Sequence, residues 1–326
     1  RPGTEPLRGR GGWHALRHCM GRPLRRLGAC WLILLPGVVG LRASVGVARN
    51  STAARTLSDP DSCAVRFNYR CRGAAYQAYM RDKGASLESI YAEAKARPFG
   101  KRVLFIGNSH IREVAEAFLC QRRSRIESWA RLDASGCMKA SAYGENCDGN
   151  DPSCRDEFSR TTFQDGGAAY VAVNHPWIYK GMQGLKKAFG LLQLDVAELD
   201  VVVVGAWNTD SWARKKFIFK HAMPICGSAD PFELLDLRPF TAAEFAAALR
   251  DLGFRGSMLL GGMFGKPAPR DVDLRERLRQ GDYGFAVRSL APFPYTCASA
   301  DCSARPGHQC LPGPPDFVAA EIAGEK

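Results

Sequence analysis

Short, continuous apolar runs alternate along this chain with stretches whose apolar residues recur at helical spacing. Val103 to Ile106, 168–173 (AAYVAV), 199–205 (LDVVVVG) and 257–262 (SMLLGG) read as strands, and a further strand is read over 124–130. Between them, Ile111, Val114, Ala115 and Phe118 fall on one face of a helix. Helical patterns also cover about Ala74 to Ala96, Gly181 to Leu192 and the stretch TAAEFAAALRDLG from Thr241. Strands that are apolar throughout are buried on both faces, and strands separated by helices form crossovers. The pattern therefore predicts an α/β fold with a central, mainly parallel sheet covered on both sides. The tail from Cys297, rich in Gly, Pro and Cys, reads as an ordered surface loop pinned by disulfides.

In such sheets, ligands sit at the carboxyl ends of strands, where loops converge. Three loops qualify. In VLFIGNSHIREV, residues 103 to 114, Gly107 allows a tight turn and Ser109 opens a helix, where unpaired backbone N–H groups favour developing negative charge. The same position suits a plain helix cap, since Asn108 and Ser109 are both preferred there. GAWNTDSW, residues 205 to 212, follows the most apolar strand, and CASADCSARPGHQCLPGPPD, residues 297 to 316, carries His308. Together they supply the parts of acyl transfer through serine. His308 is the base for the Ser109 hydroxyl, because imidazole titrates near neutral pH. Asn208 with the Ser109 backbone N–H forms an oxyanion site, and Gly136 is the choice for its last donor. His110 reads as an exposed first-turn residue or a substrate contact, since neighbouring helix positions do not share a face.

Composition changes this picture at the amino-terminal end. The 326 residues carry a formal charge of +12, the usual sign of a nucleic-acid partner. Eight arginines against one glutamate within residues 1–48 account for seven of those charges, so no nucleic-acid partner is expected. That segment has a basic start, a 15-residue apolar stretch from Leu27 to Leu41 broken by Pro36 and Gly37, and small residues at Gly46 and Ala48. It reads as a signal peptide or an uncleaved signal anchor, the one expected link to a membrane. Residues 49–62 read as a linker and 63–326 as the catalytic domain. Ten of the twelve cysteines lie after the leader, an even number suited to disulfides in an oxidising compartment. No CxxC pair occurs and histidine is sparse, so no metal is expected. Asn50-Ser51-Thr52 is a glycosylation sequon, which has a use only in the secretory pathway.

VLFIGNSHIRE resembles the GDSxxR block of the trichome birefringence-like and related PC-esterase family, within the SGNH/GDSL hydrolase superfamily. LDVVVVGAWNTDSW is similar to that family's strand ending in an asparagine turn, and DCSARPGHQCLPGPPD resembles its closing DxxH block. The resemblance spans Cys63 to Asp316. It implies an SGNH-like three-layer sandwich, a Ser109 nucleophile, a His308 base and work on glycans. Plant members of the family are polysaccharide O-acetyltransferases, and relatives in other eukaryotes O-acetylate cell-surface sugars. Arg112 aligns with the family's arginine, which implies that it supports the turn or binds an acyl or sugar oxygen; a surface salt bridge is the alternative. Asn108 stands where the family has Asp, and Arg305 stands where it has the acid three residues before histidine. Asp301 is the replacement carboxylate, provided the loop folds back. A Cys302 to Cys310 bridge would help it do so.

The expected function is thus glycan or polysaccharide O-acetyl transfer through an acyl-serine, in the Golgi lumen or after secretion. A carbohydrate esterase using the same residues, or a non-catalytic glycan-binding protein of this fold, is the alternative. No cofactor is expected to be bound. The acceptor is a glycan, and a donor such as acetyl-CoA supplies the acyl group.

Overall fold

The structure, a computed structural model, describes residues 74–107, 109–132, 138–141, 143, 158–173, 181–205, 242–261, 276, 278–290, 303–305 and 308–325. The leader, the linker and the sequon lie outside the described residues.

Helix α1 (Ala74–Ala96) leads into strand β1 (Arg102–Gly107) and helix α2 (Ser109–Gln121). Strands β2 (Ile126–Leu132), β3 (Met138–Ser141), β4 (Phe158–Phe163) and β5 (Ala168–Val173) follow, then α3 (Gly181–Leu192) and β6 (Val201–Val204). Helix α4 (Ala242–Asp251), β7 (Ser257–Leu260) and β8 (Ala286–Ser289) complete the sheet. A small hairpin of β9 (Ser303–Arg305) and β10 (His308–Gln309) then precedes α5 (Pro314–Gly324). The eight-stranded sheet has the order β3-β2-β4-β5-β1-β6-β7-β8. From β5 to β8 all neighbours are parallel, with Ile106 of β1 level with Val204 of β6.

The parallel half matches the expectation from continuous apolar runs; the other edge does not. Strands β4, β2 and β3 pair antiparallel. Only four residues, 164–167, join β4 to β5. A parallel crossover needs a dozen or more, so that connection has to reverse the chain.

Alternation along β1 divides the core in two. Leu104 and Ile106 pack with Leu185, Phe189, Phe245 and Leu249 of α3 and α4. Val103 and Phe105 pack on the other face with Ile111, Val114 and Phe118 of α2 and Val318 and Ile322 of α5. The result is three layers, helix on sheet on helix. The tail expectation needs correcting. Residues from Pro314 onward form a largely buried helix that packs on α2 and α1, not a surface loop. Proline is well placed at the first position of a helix, because its missing N–H would have had no partner there, and the sheet's second face needs covering.

Candidate functional site

Three adjacent parallel strands end level with one another, each followed by or ending in glycine. The Gly205 N–H donates to the Ile106 carbonyl at 2.9 Å, and the Gly261 N–H donates to Val204 at 2.8 Å. Gly107 has φ 144°, and a Cβ there would come within 2.9 Å of the Gly205 nitrogen. Only glycine fits both constraints, and its absence of side chain lets the chain leave β1 and enter α2 within two residues. Helix α2 begins at Ser109, so the Ser109 amide belongs to the first turn, whose N–H groups have no partner within the helix. Gly205, three residues before Asn208 in sequence, lies beside this turn. Asn208, Asn108, Gly136, Asp301 and the side chains of Ser109 and His308 lie outside the described residues.

Strand β10 packs against α2. Its backbone is held there by the Gln309 N–H, which donates to Glu113 Oε2 at 3.2 Å. Glu113 is one helical turn from Ser109, so the backbone of His308 is attached about 6 Å along the axis from the helix start. His308 pairs across the hairpin with Arg305. Arg305, three residues before the histidine in sequence, is therefore its cross-strand neighbour.

The chain then runs along α2 in the same direction. Cys310 is buried and, like Cys120 of α2, disulfide-bonded. The Tyr76 hydroxyl donates to the Pro312 carbonyl at 2.8 Å. The Gly313 N–H donates to Asp316 Oδ2 at 2.7 Å, and Gln121 Nε2 donates to the Asp316 carbonyl at 2.9 Å and to Oδ1 at 3.1 Å. Burial pushes the Asp316 carboxyl above its ordinary range, against the pull of bonds from Gly313, Gln121 and Tyr91. Burial also pushes up the Tyr91 hydroxyl, helped by the neighbouring Asp316. Glu113 near the start of α2 and Gln121 at its end thus grip Gln309 and Asp316, and the segment between has little freedom to shift.

The polar side of α2 is buried beneath this segment. Arg112 is 4% exposed, and its Nε lies 3.3 Å from Glu116 Oε1. The pair is therefore no surface salt bridge: one turn of helix is neutralised inside the protein. Glu113 is fully buried, with His110 Nδ1 3.9 Å from its Oε2. Burial raises the Glu113 carboxyl well above the usual range, opposed by the Gln309 N–H and by Arg112. His110 is half-buried rather than exposed. Sequence reasoning passed over Glu113, Glu116, Gln121 and Asp316, because polar residues at helical spacing ordinarily mark a solvated face. The usable signal was their company: a carboxylate one turn after Ser109, and Asp316 three residues after the glycine that precedes two prolines.

Among the described residues, no group of three or more His, Cys, Asp or Glu could hold a metal ion, and no helix is long and apolar enough to cross a membrane. No family model, curated protein or solved structure matches the chain.

Proposed function

We propose that this protein is a serine-dependent glycan O-acyltransferase of the secretory pathway, with an SGNH-type sandwich, a disulfide framework and acetyl as the transferred group. The single observation that carries the reading is the attachment of the His308–Gln309 strand to the helix that Ser109 opens. That attachment supports the reading because it holds the backbone of the candidate base, some 200 residues away in sequence, beside the first turns after the candidate nucleophile, and such folds bind ligands at the carboxyl edge of a parallel sheet.

In this reading His308 removes the Ser109 proton as Ser109 attacks the acyl carbonyl of the donor. The oxyanion is held by the Ser109 amide, Asn208 and the amide assigned to Gly136. Collapse of the tetrahedral intermediate expels the donor's leaving group, which receives the proton from His308. A sugar hydroxyl then attacks the acyl-serine with His308 again as base. The role given to Asn108 in this reading is support of the site, and Arg112 supports the helix through Glu116.

A fluorophosphonate probe tests the nucleophile. The wild-type protein is expected to label and Ser109→Ala is not; a folded wild type that stays unlabelled would leave the glycan-binding alternative. Incubation with deacetylated polysaccharide plus donor, beside acetylated polysaccharide alone, then tests the acceptor. Acetate release without transfer would make the protein an esterase.

A further inference from the structure

We infer that Glu113 is the positioning carboxylate of His308, standing in for the acid that Arg305 replaces. The inference rests on the acyl-serine reading and names the one part that the sequence left without a firm candidate. Standard backbone geometry separates an amide nitrogen from the preceding Cα by about 2.4 Å, so the 3.2 Å Gln309 bond keeps Glu113 Oε2 within about 5.6 Å of the His308 Cα. The nearer imidazole nitrogen of a histidine lies roughly 3 Å from its own Cα, and a hydrogen bond of about 2.8 Å spans the remainder. A carboxylate offers about four acceptor sites and accepts from several donors at once, the Gln309 N–H being one of them. The same bond fixes where on β10 the carboxylate sits. Glu113 also lies on the turn of α2 next to Ser109, so one rigid helix carries both the nucleophile and the group that would orient its base.

The chemistry follows from that placement. When His308 takes the Ser109 proton it becomes a cation, and a buried carboxylate beside it stabilises that cation without taking up the proton. Among the described groups, Glu113 is met by His110 and Arg112 of its own helix and by the Gln309 amide of β10. The Asp316 carboxyl of α5 is bonded to Gln121, two turns further along the helix. Burial disfavours the charged form of Glu113, while the Gln309 N–H and Arg112 favour it; an imidazolium beside the carboxylate would favour it further, and the only proton that moves in the step is the one passing from Ser109 to His308.

The test is a histidine NMR titration of the purified protein, with the resonances of His308 and His110 assigned from His308→Gln and His110→Gln. Glu113→Gln keeps an oxygen for the Gln309 N–H and removes the charge. It is expected to lower the His308 pKa by about one to three units. An unchanged His308, or a shift confined to His110, overturns the inference. Should Glu113→Gln not fold, the reciprocal measurement decides: in His308→Gln the Glu113 carboxyl carbon is expected to titrate at higher pH than in wild type, and an unchanged titration overturns the proposal. Fluorophosphonate labelling adds a rate. Glu113→Gln is expected to slow it by roughly 10²- to 10⁴-fold, with Asp301→Asn near wild type; the opposite ranking assigns the role to Asp301. A wild type that fails to label would end the acyl-serine reading, while the titrations would still decide whether Glu113 and His308 are coupled.

Discussion

At Gly107 one residue type is imposed by two demands at once. Its φ of 144° is closed to side chains, and the space a Cβ would fill is held by the Gly205 backbone of the neighbouring strand. Gly107→Ala is therefore expected to cost about 1–3 kcal/mol in urea unfolding, and to slow fluorophosphonate labelling more than that loss of stability explains, because the turn delivers Ser109. Gly261 is a milder case. A Cβ there would meet Ile111 Cδ1 at 2.7 Å and the Val204 carbonyl at 3.3 Å; the closer contact is a side-chain end, which can move where backbone cannot. Arg112 and Glu116 show the other residue-scale lesson: a charged pair one turn apart reads as surface decoration until its neighbours are known.

Helix α2 is the element on which everything converges. Its apolar face packs on the sheet, and its polar face is roofed by β10, the segment after it and α5. Asp316 is the fastening at the far end. Asp316→Ala would leave the Gly313 N–H and the Tyr91 hydroxyl without their buried acceptor and take from the Gln121 amide one of its two bonds to this residue. At about 1–3 kcal/mol for each buried group left unsatisfied, the expected loss is roughly 3 kcal/mol or more, read as a lowered urea midpoint. If Ser109 is the proposed nucleophile and His308 its base, labelling should fall as well, because the same segment anchors the strand that carries His308. Neither fastening was legible in advance. Periodicity reveals which face of a helix is apolar, but not that a second layer will be laid over its polar face.

For the whole molecule, the buried carboxyls set a pH dependence with a definite sign. Asp165 is held below the ordinary range: burial opposes its charge, but N–H bonds from Phe99, Gly167 and Gly100 and the Arg125 cation outweigh it. It stabilises the protein above the usual carboxylate range, and that contribution is lost in acid. Glu113 and Asp316 are raised, so the native state keeps protons that the unfolded chain gives up, and their contribution declines as pH rises toward the native values. Glu113→Gln should accordingly gain on wild type as pH rises through that window, by at most about 1.4 kcal/mol per pH unit, measured as urea midpoints across the range. A constant difference would mean that Glu113 titrates normally in the folded protein. At this scale the division between sequence and structure is also plain. The alternation of apolar runs with helical patterns determined the α/β class, the parallel strands β1, β5, β6 and β7, and α1, α3 and α4 almost to their ends, because burial against a sheet is written in local periodicity; the mostly unburied β8 left no such pattern. It determined as well that Ser109 follows a strand and opens a helix. Only the tertiary structure decided that β4 turns back on β5, that the proline-rich tail is a buried helix, and that Glu113 touches the residue after His308. Those facts depend on contacts between segments up to some 200 residues apart, and no local pattern encodes which distant surface will cover a polar face.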